Sequence, residues 1–159
     1  MEEDRVFSSS EEELPYEADR SVTAESQKYL LFLSGGLLFG AGAEYVVEII
    51  TNHQITTLPL VPSYVRGIIN LRGQIIPIVD IRLLLGQEPA DENCIIILNI
   101  DDTLVGVLVD TVQRMLDVPT NTLLPAPNHD QQKLVSGMCS LGEGQTMLVF
   151  DCHQLLTQS

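Results

Sequence analysis

The chain has 159 residues, 45% of them hydrophobic, which suits one domain-sized core and does not call for two independent domains. A formal charge of −14 at pH 7 excludes a phosphate-tracking surface, because nucleic-acid binding draws on clustered Lys and Arg. The expected partner is therefore protein, with no nucleic acid.

Residues 1–28 carry nine acids against Arg5, Arg20 and Lys28, with scattered Ser and no apolar period. Such a segment cannot offset its ordering entropy by burial, so a disordered acidic tail is expected, either solvating or acting as an arm toward a partner. From Tyr29 onward, short runs rich in Val and Ile alternate with Gly, Pro and Asp, the texture of strands. Strands are predicted at 29–33, 37–41, 45–50, 67–71, 74–79, 94–100, 104–109, 112–116 and 145–150, within a total of about ten. Helical signals are confined to one turn at Pro62–Val65 and short runs at Ile81–Leu85 and Cys152–Leu156 that each follow an Asp, all too short to stand without packing. Cys94, Cys139 and Cys152 form no C-x-x-C pair and leave an odd count, which fits buried thiols in a reducing compartment. The start of the chain has no basic and apolar leader, and no apolar run approaches the roughly 20 residues of a membrane helix. A cytoplasmic location without direct membrane insertion is expected.

Slid against itself, the sequence places Gly40 on Gly106, Leu30-Leu31-Phe32 on Ile96-Ile97-Leu98, and Val46, Ile49 and Ile50 on Val112, Met115 and Leu116. In the same frame Thr56, Leu58 and Pro59 meet Thr122, Leu124 and Pro125. After small insertions Val65-Arg66-Gly67 answers Val135-Ser136-Gly137, and Gly73, Gln74 and Asp80 answer Gly144, Gln145 and Asp151. The pattern predicts two quasi-repeat halves, about 29–93 and 94–159, joined near Glu88–Glu92. Units this small bury little alone, so they are expected to share an apolar interface, each sheet closing into a small barrel that leaves no exposed edge. Whether a strand crosses between barrels is left open by the sequence.

The residue types for nucleophilic catalysis are sparse. His53, His129 and His153 accompany no G-x-S-x-G or reactive-Cys setting, and Cys152-His153 lacks further ligands for a metal. No catalytic residue, metal or cofactor is expected. Asp80, Asp110 and Asp151 each end an apolar run; as converging carboxylates they would support hydrolysis, but Asp80 and Asp151 precede helical runs and suit helix capping. Arg66, Arg72 and Arg82 are three of five basic side chains after residue 28, which fits either an oriented docking feature or internal pairing.

The segment Gly67-Ile68-Ile69-Asn70-Leu71-Arg72-Gly73-Gln74-Ile75-Ile76-Pro77-Ile78-Val79-Asp80-Ile81-Arg82 closely resembles the V-I-N-L-R-G-x-V-I-P-V-x-D-L-R signature of CheW-like domains. Val46-Val47-Glu48-Ile49, Pro59 and Pro62, Gly106 to Asp110, and Pro125-x-Pro127 extend the resemblance over about residues 28–157. Phe39-Gly40-Ala41-Gly42-Ala43 departs from the family pattern, which puts the start of the third strand in question. The resemblance implies a mainly β fold of two five-stranded SH3-like barrels sharing a hydrophobic interface, with a few short helices. It implies a non-enzymatic adaptor coupling the regulatory domain of a CheA-type histidine kinase to the cytoplasmic tip of methyl-accepting chemoreceptors, with a pilus-motility or biofilm chemosensory pathway as the alternative setting. Carried over residue by residue, Val46, Glu48, Gly67, Arg72, Cys94 and Met115 would be receptor-side positions, and Asn70, Leu71, Gly73, Pro77 and Asp80 would shape the structural motif. Arg72 displayed between glycines and Glu48 set in an apolar run are expected to form an ion pair at the groove between barrels.

Overall fold

A computed structural model describes residues 25–89, 94–126 and 134–157. The acidic tail up to residue 24, and the expected junction beyond Pro89, lie outside them. The described chain runs through β1 (Ser26–Ser34), β2 (Leu37–Gly42), a 3₁₀ turn (Ala43–Tyr45), β3 (Val46–Thr51), β4 (Val65–Leu71), β5 (Gln74–Asp80), α1 (Ile81–Leu84), β6 (Cys94–Ile100) and β7 (Thr103–Val109). It continues through β8 (Thr111–Pro119), a second 3₁₀ turn (Thr120–Thr122), β9 (Leu124–Pro125), β10 (Val135–Gly142), β11 (Gln145–Phe150) and α2 (Gln154–Thr157). The strand expected from Tyr29 begins earlier, at Ser26, because Ser26, Gln27 and Lys28 pair with Pro119, Val118 and Asp117. The 3₁₀ turn at Ala43–Tyr45 fixes the start of the third strand at Val46. Pro62–Val65 is a turn closed by the Val65 N–H on the Pro62 carbonyl at 3.0 Å.

Two-residue loops with both residues at positive φ close four hairpins: Gly35-Gly36, Arg72-Gly73, Asp101-Asp102 and Glu143-Gly144. Turns of this hand match the right-handed twist of the strands they join.

The strands form a six-stranded sheet in the order β8-β1-β2-β11-β10-β9 and a five-stranded sheet in the order β3-β6-β7-β5-β4. The sixth strand of the larger sheet is the two-residue β9, whose counterpart opposite is the single bridge Thr56 to Ile68. Neither sheet belongs to one half of the chain. Hairpin β1–β2 leaves its own half to join β8–β11, and hairpin β6–β7 joins β3–β5. Each inserted hairpin binds its host through a parallel pair, with Gly40 beside Val149 and Gly106 beside Ile78.

The registers repeat. Leu30 faces Met115 as Ile96 faces Ile49, Phe32 faces Val112 as Leu98 faces Val46, and a bulge falls at the corresponding place in each pair. Val135 and Gly137 face Phe150 and Val149 as Val65 and Gly67 face Val79 and Ile78. The match of Thr56 with Thr122 is corrected: Thr56 bridges Ile68, whereas Leu124 pairs with Met138, the counterpart of Ile68. The second half is two residues longer here because β8 extends to Pro119.

Alternation along the exchanged hairpins explains why their runs are apolar without interruption. Tyr29 and Leu31 point into the first barrel with Leu38, Val118, Cys139 and Met147. Ile95 and Ile97 point into the second with Ile69, Ile76, Ile78 and Leu108. The opposite faces, Leu30, Phe32, Phe39 and Ala41 on one hairpin and Ile96, Leu98, Ile100, Val105, Val107 and Val109 on the other, meet in a third cluster between the barrels. Phe32, Phe39 and Phe150 stack there, with ring centroids 5.3 to 6.1 Å apart. A strand buried on both faces leaves no position for a polar residue. Cys139 and Cys152 are buried as expected, but Cys94 is only partly so, since it opens β6 at the sheet's end.

Candidate functional site

Strands β3 and β4 are the two ends of the five-stranded sheet, and one side-chain pair reaches across between them. Glu48 lies on β3 among alternately half-buried and exposed residues, and Arg72 leads the turn between β4 and β5. Arg72 Nη1 donates to Glu48 Oε1 at 2.6 Å and Nη2 to Oε2 at 3.0 Å, the fork geometry that gives a guanidinium–carboxylate pair its directionality. The Arg72 side chain is 71% exposed and that of Glu48 27%, so the pair is a surface feature. Its hydrogen bonds from Arg72 hold the Glu48 carboxyl below the usual glutamate range.

The local chain is built to present Arg72. Asn70 Oδ1 accepts the Gly73 N–H at 3.0 Å, and Arg72 and Gly73 both adopt positive φ. Leu71 turns inward against the second barrel's core, while Pro77 sits on the solvent side of β5 opposite Ile68. Gly67, at φ 146°, lies where a Cβ would collide with the Thr56 carbonyl oxygen, so its position has a backbone reason independent of any partner. On β3 and β5, Val47, Ile49 and Ile75 are exposed apolar side chains, Ile49 on the face of β3 opposite to Glu48.

The remaining expected positions are dispersed. Val46 shares β3 with Glu48 and packs partly against the core between barrels. Cys94 pairs with Thr51 at the other end of that strand. Met115 is on β8 of the first barrel, exposed, at the register position that Ile49 holds in the second. Glu48 and Arg72 are thus the two expected residues brought into direct contact.

The other two arginines are also internally paired. Arg66 Nη1 meets the buried Asp80 at 2.8 Å, and Asp80 caps α1 by accepting the Arg82 N–H at 2.9 Å. Arg82 donates from Nε and Nη2 to both oxygens of Asp110 at 2.8 Å, and Asp110 also accepts the Gly35 N–H at 3.0 Å. The Arg82 guanidinium, with help from that N–H, holds the Asp110 carboxyl below its ordinary range, although partial burial opposes it. Asp151 accepts the His153 N–H at 3.2 Å. The strand-ending acids are therefore engaged with separate partners, and Asp110 is shifted opposite to the direction a general acid needs. Individual residues suggested the capping, but the pairing of Arg66 and Arg82 with Asp80 and Asp110 depends on strands far apart in the chain. Burial pushes the Cys152 thiol up to about 12, with the charges of Asp151 and Glu44 adding to it, so it is a packing residue and not a nucleophile. Among the described residues no group of three or more His, Cys, Asp or Glu gathers as metal ligands, and no helix is long and apolar enough to cross a membrane.

Two interlocked β-barrels with a displayed ion pair and separately engaged acids define a protein-docking β-domain. Residues 28–159 match the CheW-like domain, and the chain belongs to that family. It is 34% identical over 137 residues to the chemotaxis protein CheW of Klebsiella aerogenes, covering 82% of each chain. It is 31% identical over 130 residues to protein PilI of Pseudomonas aeruginosa, covering 78% of this chain and 72% of that one. Its fold is similar to that of the scaffolding protein TtCheW from Thermoanaerobacter tengcongensis, with a TM-score of 0.73, 26% identity, and coverage of 80% of this chain and 90% of the other.

Proposed function

We propose that the chain is a non-enzymatic cytoplasmic adaptor that couples a CheA-type histidine kinase to methyl-accepting chemoreceptors, with the surface around Glu48 and Arg72 meeting the receptor. The observation that carries this reading is the forked Glu48–Arg72 pair, displayed at the end strands of a barrel whose β3 and β5 also expose Val47, Ile49 and Ile75. An oriented charge pair gives a docking surface register, and exposed apolar side chains on the same barrel can add affinity. Relatives named as chemotaxis proteins and a structural relative titled a scaffolding protein support the same role. Val46, Gly67, Cys94 and Met115 are assigned to this surface through the family resemblance.

The test is reconstitution of the chain with receptor-containing membranes and a CheA-type kinase. Kinase activity dependent on the chain is expected, and its loss in Arg72→Ala while the kinase regulatory domain still binds would locate the receptor side. Binding to neither protein would end the reading. A second setting, a pilus-motility or biofilm pathway, draws on the matches to proteins PilI and FrzA, which approach that of the chemotaxis relatives. Recovery of the bound kinase from the source cells decides between them.

A further inference from the structure

The repeated registers allow the two barrels to be compared residue by residue, and at one place they differ in a way that leaves a gap. In the second barrel Asp80 ends β5, its N–H bonds the Tyr64 carbonyl at 2.8 Å, and its carboxylate is met by the Arg66 guanidinium. In the first barrel Asp151 follows β11 at the corresponding place, and its N–H bonds the Leu134 carbonyl at 2.6 Å. The counterpart of Arg66 there is Ser136. The guanidinium that meets the carboxylate in the second barrel thus has no equivalent at this position in the first.

The space remains as a cavity of about 210 Å³, bordered by Asp151, Ser136, Gly42, Tyr29, Tyr45 and Gln27 among others. Among the described residues no Lys or Arg side chain reaches the Asp151 carboxylate, whose hydrogen bond comes from the His153 backbone. The Gln27 amide is oriented by Glu44 at 3.1 Å, which adds a second negative group near the rim. A carboxylate binds a flat cation by charge-assisted hydrogen bonds, and Tyr45, whose ring packs edge-on against His153 with centroids 5.5 Å apart, borders the same space.

We propose that this cavity is a receptor for a guanidinium group supplied from outside the chain, taking the place that Arg66 fills in the other barrel. The shared chemistry is the guanidinium, and it comes either from an arginine side chain of a docked protein or from a small free guanidino compound. The site is separate from the Glu48–Arg72 pair and does not depend on the function proposed above.

The full-length chain, 15N-labelled at pH 7.5 and low salt, would be titrated with N-acetylarginine methylamide as the probe for a peptide arginine and with agmatine as the probe for a free compound. N-acetylcitrulline methylamide serves as the uncharged isostere. Saturable shifts of the Gly42, Ser136, Asp151 and His153 amides are expected with at least one charged probe and not with the citrulline derivative. Tighter binding of the arginine amide assigns the site to a protein arginine, and tighter binding of agmatine to a free compound. Asp151→Asn is expected to weaken binding by about tenfold or more, since the carboxylate supplies the charge-assisted bonds. Ser136→Arg, at an exposed position, is expected to fill the cavity from within, abolish binding and raise the unfolding midpoint. Absence of saturable shifts with both charged probes, equal binding of the citrulline derivative, or binding undiminished in Ser136→Arg would overturn the proposal.

Discussion

Arg72 and Glu143 hold the same left-handed position of corresponding hairpins, at φ 52° and 55°, and carry opposite charges. Arg72 grips Glu48 on the neighbouring end strand, and the counterpart of Glu48 in the first barrel is Arg114. The two barrels therefore have the same charge couple with its members exchanged. Arg114 and Glu143 line one cavity of about 450 Å³ at the first barrel's mouth, whereas Glu48 and Arg72 are joined.

Because the Glu48–Arg72 pair is largely exposed, its removal acts on docking and not on folding. Arg72→Ala and Glu48→Ala are expected to keep the unfolding midpoint within about 3 °C of the parent while reducing receptor-dependent kinase activity. The exchanged double variant, Glu48→Arg with Arg72→Glu, restores the couple and is expected to recover part of the activity if geometry alone matters. Calorimetry beside the kinase assay checks this; a collapse in midpoint for either single variant would make the pair structural.

The acid limb of stability should report Asp110. Its folded carboxyl is held below the ordinary range by Arg82, so the unfolded state takes up the proton first as pH falls. The stabilisation is fully present above the unfolded pKa, near 4, and is lost as pH drops through the lower folded value. Asp110→Asn is expected to cost roughly 1–3 kcal/mol at pH 7 and to flatten the decline below about pH 4. Denaturant midpoints measured across that range decide it, and an unchanged pH slope would show that the Arg82 contact carries no net stabilisation.

Asp80 caps α1 and Asp151 accepts a backbone N–H at the corresponding place ahead of α2, but the two should not be equally costly to remove. Asp80 is 1% exposed and bonded to both Arg66 and the α1 backbone, whereas Asp151 is partly exposed and accepts one backbone bond. Asp80→Ala is expected to cost about 3 kcal/mol, discounted because Arg66 remains one-third exposed, and Asp151→Ala about 1 kcal/mol. Equal losses on chemical unfolding would mean that the Arg66 bond adds nothing beyond the cap.

Gly67 gives a caution about mapping a docking surface by mutation. A Cβ there meets the Thr56 backbone oxygen, which a rotamer change cannot relieve, and the φ of 146° is unfavourable to other residues. Gly67→Ala is expected to cost roughly 2–4 kcal/mol, against about 1 kcal/mol for Gly36→Ala, whose Cβ meets open space. Reduced receptor binding by Gly67→Ala with an unchanged midpoint would instead place Gly67 in the docking surface itself.

The strands were legible where both faces are buried. Cys94–Ile100 and Gln145–Phe150 match the expected bounds end for end, because turn-forming residues bracket their apolar centres: Asp101-Asp102 after Ile100, Gly144 before Gln145 and Asp151 after Phe150. Val135–Gly142 carries two Ser and two Gly and has no such run, so only its likeness to Val65–Gly67 pointed to it. The Glu48–Arg72 pair was legible partly from a lone acid set in an apolar run beside a displayed arginine, and partly from the resemblance to the CheW-like signature. The Arg82–Asp110 clamp was not, because it depends on how the exchanged hairpins bring α1 beside the end of β7, a relation between strands that local pattern does not encode.

That exchange makes the last prediction. The repeat boundary near residue 93 divides the sequence into similar halves, yet each barrel takes a hairpin from the other half. Without Cys94–Val109, strands β3 and β5 lose β6 and β7, the partners that hold them in one sheet, and Ile69, Ile76 and Ile78 lose Ile95 and Ile97 from their cluster. Without Ser26–Gly42, strands β8 and β11 lose β1 and β2, and Met147 loses Leu31. A chain ending after residue 93, and one beginning at residue 94, are each expected to remain unfolded alone, with no cooperative thermal transition. Mixed at equal concentration, they are expected to regain the transition at a concentration-dependent midpoint, because folding and association have become one step. Circular dichroism of each fragment and of the mixture tests this, and a cooperative transition in either fragment alone would show that a half can close its own barrel.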